Sequence, residues 1–137
     1  MRIKSRFDPR LSVEVMKLPR IFVSVAAYRD PETPHTLQDL FAKARHPQRI
    51  FVGVLWQVVP GEDDDCLQVP AAVAHRQLQG IHIHPSQSRG ACWARSKILT
   101  ELRRGEEFVL QIDSHMRFVQ DWDEKMLTML QHCATPR

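Results

Sequence analysis

The stretch Ile-Phe-Val-Ser-Val-Ala-Ala at residues 21–27 decides the fold class. It is almost continuously apolar, which is typical of a strand covered on both faces of a parallel sheet. A second run, Ile-Phe-Val-Gly-Val-Leu-Trp at residues 50–56, is rich in β-branched and aromatic residues. Between them, Thr33 or Thr36 is placed to cap a helix whose apolar stripe is formed by Leu37, Leu40, Phe41 and Ala44. Strand, helix and strand in this order predict a βαβ unit.

Further elements follow this unit along the chain. Residues 81–84 are predicted to form a third short strand, and residues 108–112 a fourth. A helix capped by Ser88 lies between them and buries one face, formed by Ala91, Ala94, Ile98 and Leu102. A final amphipathic helix begins near Asp121. We therefore expect an α/β fold with a mostly parallel sheet flanked by helices.

Two segments show little periodicity. Residues 1–19 are interpreted as an N-terminal extension with one short edge strand, so the domain is expected over residues 20–137. Residues 57–79 are expected to form a loop with one short helix at 71–78. The acidic run at residues 62–65 lacks the alternating ligand spacing of a calcium loop, so a solvated loop is the better interpretation.

Length and composition restrict the class of protein. The 137 residues, 43% apolar and 26% charged, are ordinary for one soluble domain. No apolar run approaches the ~20 residues of a membrane helix, and no signal peptide is expected. The three cysteines lack close spacing, which favours a cytoplasmic setting over a disulfide framework. The net charge of +3 suits an anionic ligand, but it is weak evidence for nucleic acid, which is not expected as a partner.

Polar residues follow each predicted strand. The carboxyl ends of parallel strands meet at one edge of an open sheet, and ligands bind outside that edge. The groups expected there are Tyr28-Arg29-Asp30, Trp56-Gln57, residues 86–90 and Asp113-Ser114-His115. Their convergence predicts a binding site at this edge.

The most specific group is Asp113-Ser114-His115. Residues i and i+2 of an extended segment point to the same side, so Asp113 and His115 can both bind one metal ion. A carboxylate and an imidazole suit manganese, or a similar divalent ion, better than calcium. Two protein ligands leave most of the coordination shell open to diphosphate oxygens and water. The alternative is that Asp113 caps a turn and His115 lies on the surface.

Two other segments are candidates for donor binding. Arg89, Gly90 and Arg95 lie at the start of the helix between the third and fourth strands and could contact a phosphate. The free amides and the dipole of a helix N-terminus favour an anion there. The alternative there is an ordinary first turn with solvated arginines. The segment Tyr28-Arg29-Asp30 could stack on a base and bind a ribose, or form a turn with a surface salt bridge. The sequence identifies no catalytic base or nucleophile.

Three blocks, in order, resemble one known family. They are residues 21–32, which end in Tyr-Arg-Asp-Pro-Glu, residues 84–95, with Ser-Arg-Gly-Ala-Cys-Trp-Ala-Arg, and residues 105–118, with Ile-Asp-Ser-His. The chain resembles the GlcNAc-transferase family of GT-A glycosyltransferases. That family includes cytosolic enzymes that attach N-acetylglucosamine to hydroxyproline of a ubiquitin-ligase adaptor. The Asp-Ser-His step is also similar to the metal motif of the polypeptide N-acetylgalactosaminyltransferases.

The resemblance implies a GT-A, Rossmann-like fold and transfer of GlcNAc from a UDP-sugar to an acceptor hydroxyl, with retention at the anomeric carbon. It implies that Asp113 and His115 bind Mn²⁺, which holds the UDP diphosphate. It further implies that the turn at residues 28–30 contacts the nucleotide and that Arg95 steadies the motif or the donor.

Members of this family continue beyond Asp-Ser-His into a half that builds the acceptor site. The chain is therefore expected to be the donor-binding domain, truncated after the motif, with an unnamed protein or glycan acceptor. Its exposed apolar surface would favour self-association. The alternatives are a UDP-sugar-binding module without turnover, and a phosphoesterase or nucleic-acid-binding domain. The last two need acidic clusters or interleaved aromatic and basic residues that the sequence lacks.

Overall fold

The computed structural model describes residues 18–133. Its strands are β1 Ile21–Tyr28, β2 Ile50–Gln57, β3 Leu78–Ile83 and β4 Phe108–Asp113. They form one sheet in the order β3-β2-β1-β4, and every pairing is parallel. The expected α/β fold with a parallel sheet is confirmed. Most of the N-terminal extension, with its expected edge strand, lies outside the described residues.

Three helices cover the two faces of this sheet: α1 Thr33–Ala42, α2 Ala91–Leu102 and α3 Trp122–His132. Alternate residues of the buried strand β1 point to opposite faces. Val23 and Val25 therefore belong to the core on the side of α1, whereas Phe22 packs with Ile98 of α2 on the other side. The near-continuous apolar run that predicted β1 is thus explained by cover on both faces.

The predicted cap of α1 is wrong. The N-cap residue is Glu32, and no side chain caps the helix. The hydroxyl of Thr33 instead donates to the carbonyl oxygen of Asp30 at 2.8 Å. Thr36 lies inside the helix, where its hydroxyl faces a distant loop rather than the free amides of the first turn.

Two predictions near β3 are also wrong. Gly90 rather than Ser88 is the N-cap residue of α2, and its φ of 91° is a conformation that glycine adopts without strain. The helix expected at residues 71–78 is only a short 3-10 turn at His75–Gln77, because the chain becomes extended at Leu78 to pair with β2.

The last helix, α3, begins after Asp121 as predicted. Trp122 is buried, but three apolar side chains on the helix are exposed: Met126, Met129 and Leu130. Residues of α3 and of the edge strand β4 line an open apolar groove of about 770 Å³. Within residues 18–133, no helix is both long enough and apolar enough to cross a membrane.

Candidate functional site

The carboxyl ends of β1 and β4 lie side by side. The two strands pair directly, with Ala26 opposite Asp113. The residues that follow them line an open pocket of about 390 Å³. Its lining consists of Ala26, Tyr28, Arg29, Asp30, Asp113, Ser114 and His115. The structure therefore brings together two of the four polar groups that the sequence places at this edge.

Asp113 presents a largely exposed carboxylate at the end of β4. Nη2 of Arg95 lies 3.6 Å from its Oδ1. The Gln111 amide, oriented with its oxygen toward Arg95, accepts hydrogen bonds from Nε at 2.6 Å and Nη1 at 3.1 Å. These contacts hold Arg95 against β4 beside Asp113. From there its guanidinium could stabilise either the Asp-Ser-His motif or an anionic ligand.

His115 is held by Asp30. Nδ1 of His115 lies 2.9 Å from Oδ2 of Asp30, which also accepts a hydrogen bond from the Ser114 hydroxyl at 2.6 Å. Burial alone would raise the pKa of Asp30, but hydrogen bonds from Ser114, the Glu32 amide and His115 outweigh it and lower the pKa. The same hydrogen bond to Asp30 raises the pKa of His115.

The main chain around the motif is fixed by Thr36 of α1. Its hydroxyl donates to the carbonyl oxygen of Ser114 at 2.7 Å and accepts from the amide of Met116 at 2.9 Å. Thr36 is fully buried. This role was not predictable from the sequence, because the contact joins residues 78 positions apart and the local pattern indicates Thr36 only as a helix cap.

Arg29 lines the pocket, but its guanidinium is paired with the loop after β2. Its φ of 48° is left-handed, and its Nε pairs with Oδ2 of Asp63 at 2.8 Å while Nη2 lies 3.1 Å from Oε2 of Glu62. Asp63 also accepts a hydrogen bond from the amide of Val59. The acidic run at residues 62–65 is thus partly explained, because it fastens the loop after β2 to the turn after β1.

The other candidate residues lie around this centre. Tyr28 is 56% exposed on the pocket wall. Gln57 and Trp56 are buried in the fold, and the Gln57 amide lies 3.4 Å from the carbonyl oxygen of Ala27. Arg89 and Gly90 are exposed at the start of α2 and do not line the pocket.

The donor chemistry at the pocket fits a divalent ion that takes part of its shell from a ligand. Across residues 18–133, no three His, Cys, Asp or Glu residues gather to hold an ion by themselves. Asp113 and His115 offer one carboxylate and one imidazole, which are donor types for manganese. Since Asp30 occupies Nδ1 of His115, Nε2 is the nitrogen left for coordination.

Comparison with known proteins gives a family and a fold. The family model described as Glycosyltransferase (GlcNAc) matches the chain over residues 20–77 and 65–137. The crystal structure of S. aureus TarS 1–349 is similar in fold, with a TM-score of 0.58 at 17% sequence identity. The match covers 82% of this chain and 32% of that chain, so the chain spans about a third of the solved protein. No curated protein sequence matches the chain significantly.

Proposed function

This chain belongs to the GlcNAc family of glycosyltransferases, and we propose that it binds a UDP-sugar, with GlcNAc as the sugar, in the pocket between β1 and β4. The diphosphate is held through Mn²⁺ or a similar divalent ion, with Asp113 and His115 as the protein ligands. The complete reaction is attack of an acceptor hydroxyl, from a protein or a glycan, on the anomeric carbon, with release of UDP. We place this activity in the cytoplasm.

One observation carries the proposal. Asp113 and His115 border the same open pocket, and Asp30, in the turn after the neighbouring strand β1, holds Nδ1 of the histidine while it accepts a hydrogen bond from Ser114. A histidine whose second ring nitrogen is held by a carboxylate is the usual arrangement of a metal-binding imidazole.

The residues around the metal ligands have separate roles. Arg95 offers a second positive charge beside Asp113 to a phosphate oxygen. Tyr28 offers an aromatic face to the base, and Asp30 holds His115. Arg89 and Gly90, at the start of α2, are proposed contacts for the part of the donor that extends beyond the pocket.

A bound divalent ion supplies a Lewis acid that stabilises the charge developing on the departing UDP. The chain's own residues bind and orient the donor, and none of them is assigned here as a catalytic base. The alternative function is a donor-binding module without turnover. The two differ in whether bound UDP-GlcNAc releases UDP.

Calorimetric titration of the chain with UDP-GlcNAc, in Mn²⁺ and again in excess chelator, tests the proposal. We expect binding that needs the metal and that free UDP competes away. A parallel assay of UDP release separates turnover from binding alone. Absence of binding in both titrations, from a chain that is folded by circular dichroism, would overturn the proposed function.

A further inference from the structure

Asp30 lies at the centre of the site without belonging to the Asp-Ser-His motif. Its Oδ1 accepts a hydrogen bond from the Glu32 amide at 2.9 Å. Its Oδ2 accepts from the Ser114 hydroxyl at 2.6 Å and lies 2.9 Å from Nδ1 of His115. The Asp30 side chain is 16% exposed, compared with 65% for His115. The carboxylate is therefore shielded, and the imidazole that it holds opens into the pocket.

The chemistry of this contact determines which ring nitrogen carries the proton. An ionised carboxylate only accepts hydrogen bonds, so Nδ1 of His115 must be the donor. The lowered pKa of Asp30 agrees with an ionised group. In a neutral imidazole with the proton on Nδ1, the lone pair is on Nε2. Nε2 has no hydrogen-bond partner among residues 18–133.

The backbone fixes Asp30 as firmly as its side chain does. The left-handed residue Arg29 turns the chain at the end of β1, and its guanidinium is fastened to Asp63. The carbonyl oxygen of Asp30 accepts hydrogen bonds from the amide and the hydroxyl of Thr33. Asp30 is thus placed before any ligand arrives, which is the condition for it to orient another side chain.

We propose that Asp30 is a positioning residue that holds His115 in the Nδ1–H tautomer with Nε2 directed to the metal, rather than a contact for the ribose of the donor. The metal part of this inference rests on the proposed function, whereas the tautomer does not. Carboxylates that orient a metal-binding histidine typically change metal affinity by about 10- to 100-fold.

The first test is nitrogen NMR of ¹⁵N-histidine-labelled protein without metal, at about pH 9, well above the ordinary histidine pKa. Loss of one signal in His115→Gln assigns the ring. We expect the Nδ1–H tautomer in the wild type and loss of that preference in Asp30→Ala. Ser114→Ala is the matched control, because it removes the other donor to the same oxygen and leaves the His115 contact.

The second test is Mn²⁺ affinity in the presence of UDP, followed by electron paramagnetic resonance of the free ion. Asp30→Ala should weaken Mn²⁺ binding by about 10- to 100-fold, and Asp30→Asn, which keeps an acceptor oxygen, by less. Thermal unfolding of each variant checks that the fold is retained.

The outcomes separate this inference from the proposed function. A wild-type His115 with its proton on Nε2 would overturn the inference. The inference would also be overturned if Mn²⁺ affinity were unchanged in Asp30→Ala but lost in Asp113→Ala. The proposed function would hold in that case. Failure of the wild type to bind Mn²⁺ with UDP would overturn the proposed function, and the metal part of this inference with it.

Discussion

Thr36 stabilises the Asp-Ser-His turn through one hydroxyl. It donates to the carbonyl oxygen of Ser114 in a buried contact and accepts from the amide of Met116 in a part-buried one, and Thr36 itself is fully buried. Valine has nearly the same shape but no hydroxyl, so Thr36→Val leaves two backbone groups without partners. Buried polar groups without hydrogen bonds cost about 1–3 kcal/mol each.

We therefore expect Thr36→Val to lower the free energy of unfolding by at least about 1 kcal/mol and to weaken metal-dependent UDP binding. Urea unfolding and donor titration check the two effects. Thr100→Val, at an exposed position of α2, is the matched control. A Thr36 variant as stable as that control would show that the hydroxyl does not support the turn.

Arg95 contributes to the site from α2. Because its guanidinium is partly exposed, one lost contact with a phosphate or with Asp113 should cost about 1 kcal/mol. Arg95→Ala should therefore weaken UDP binding roughly fivefold without abolishing it. Calorimetric titration with UDP measures the affinity of this variant. Complete loss of binding would mean that Arg95 has a larger role than the one proposed.

At the scale of elements, α3 is joined to the segment after α1 by a buried ion pair. Asp123 is fully buried, and its Oδ2 lies 3.0 Å from both Nε and Nη2 of Arg49. The amides of Arg45 and His46 donate to the same carboxylate. Both carboxylate oxygens of Asp123 thus accept hydrogen bonds, as a buried charge requires.

Removal of one partner leaves the other charge buried and unpaired. Asp123→Ala should lower the free energy of unfolding by about 3–5 kcal/mol. Urea unfolding gives the value directly, with Glu124→Ala at the adjacent, exposed position of α3 as the control. A loss below about 1 kcal/mol would mean that Arg49 finds another partner or reaches water.

The strands were predictable because each apolar run, such as residues 21–27, is set by its own burial. β1, β2 and β4 begin where predicted and end one residue later, whereas β3 begins three residues earlier, where it pairs with β2, and ends one residue earlier. The contacts of Asp30, Thr36 and Asp123 were not predictable. Each joins segments more than 70 positions apart, and no local period records such a contact. The sequence indicated Asp30, Asp113 and His115 as candidate site residues, but not that Asp30 holds His115 or that Thr36 fixes the turn.

At the scale of the whole molecule, hydrogen-bonded and paired carboxylates make the free energy of unfolding depend on pH. Within residues 18–133, the pKa values of five carboxyl groups are lowered in the fold, namely those of Asp30, Asp39, Asp63, Glu107 and Asp123. A group with a depressed folded pKa stabilises the fold above its unfolded pKa, about 3.9 for aspartate, and loses that contribution as the pH falls through the folded value.

The stability that these five carboxylates contribute should therefore stay nearly constant above about pH 5 and fall steadily below about pH 4. Urea unfolding midpoints across this range measure the slope. The Asp123→Ala variant should have a shallower slope, because it lacks one of the five groups. A wild-type midpoint that does not change between about pH 5 and pH 3 would contradict the account of these carboxylates.

An exposed apolar groove lies between β4 and α3, and such a surface favours self-association. Analytical sedimentation measures self-association independently of donor binding.

The central claim is that Asp113 holds a metal on which donor binding depends. The most direct measurement is calorimetric titration of UDP into the wild type and Asp113→Ala in Mn²⁺, with Glu101→Ala as the exposed-carboxylate control on α2. We expect binding by the wild type and the control and none by Asp113→Ala, with the same circular dichroism spectrum for all three. Unchanged UDP affinity in Asp113→Ala would contradict this claim.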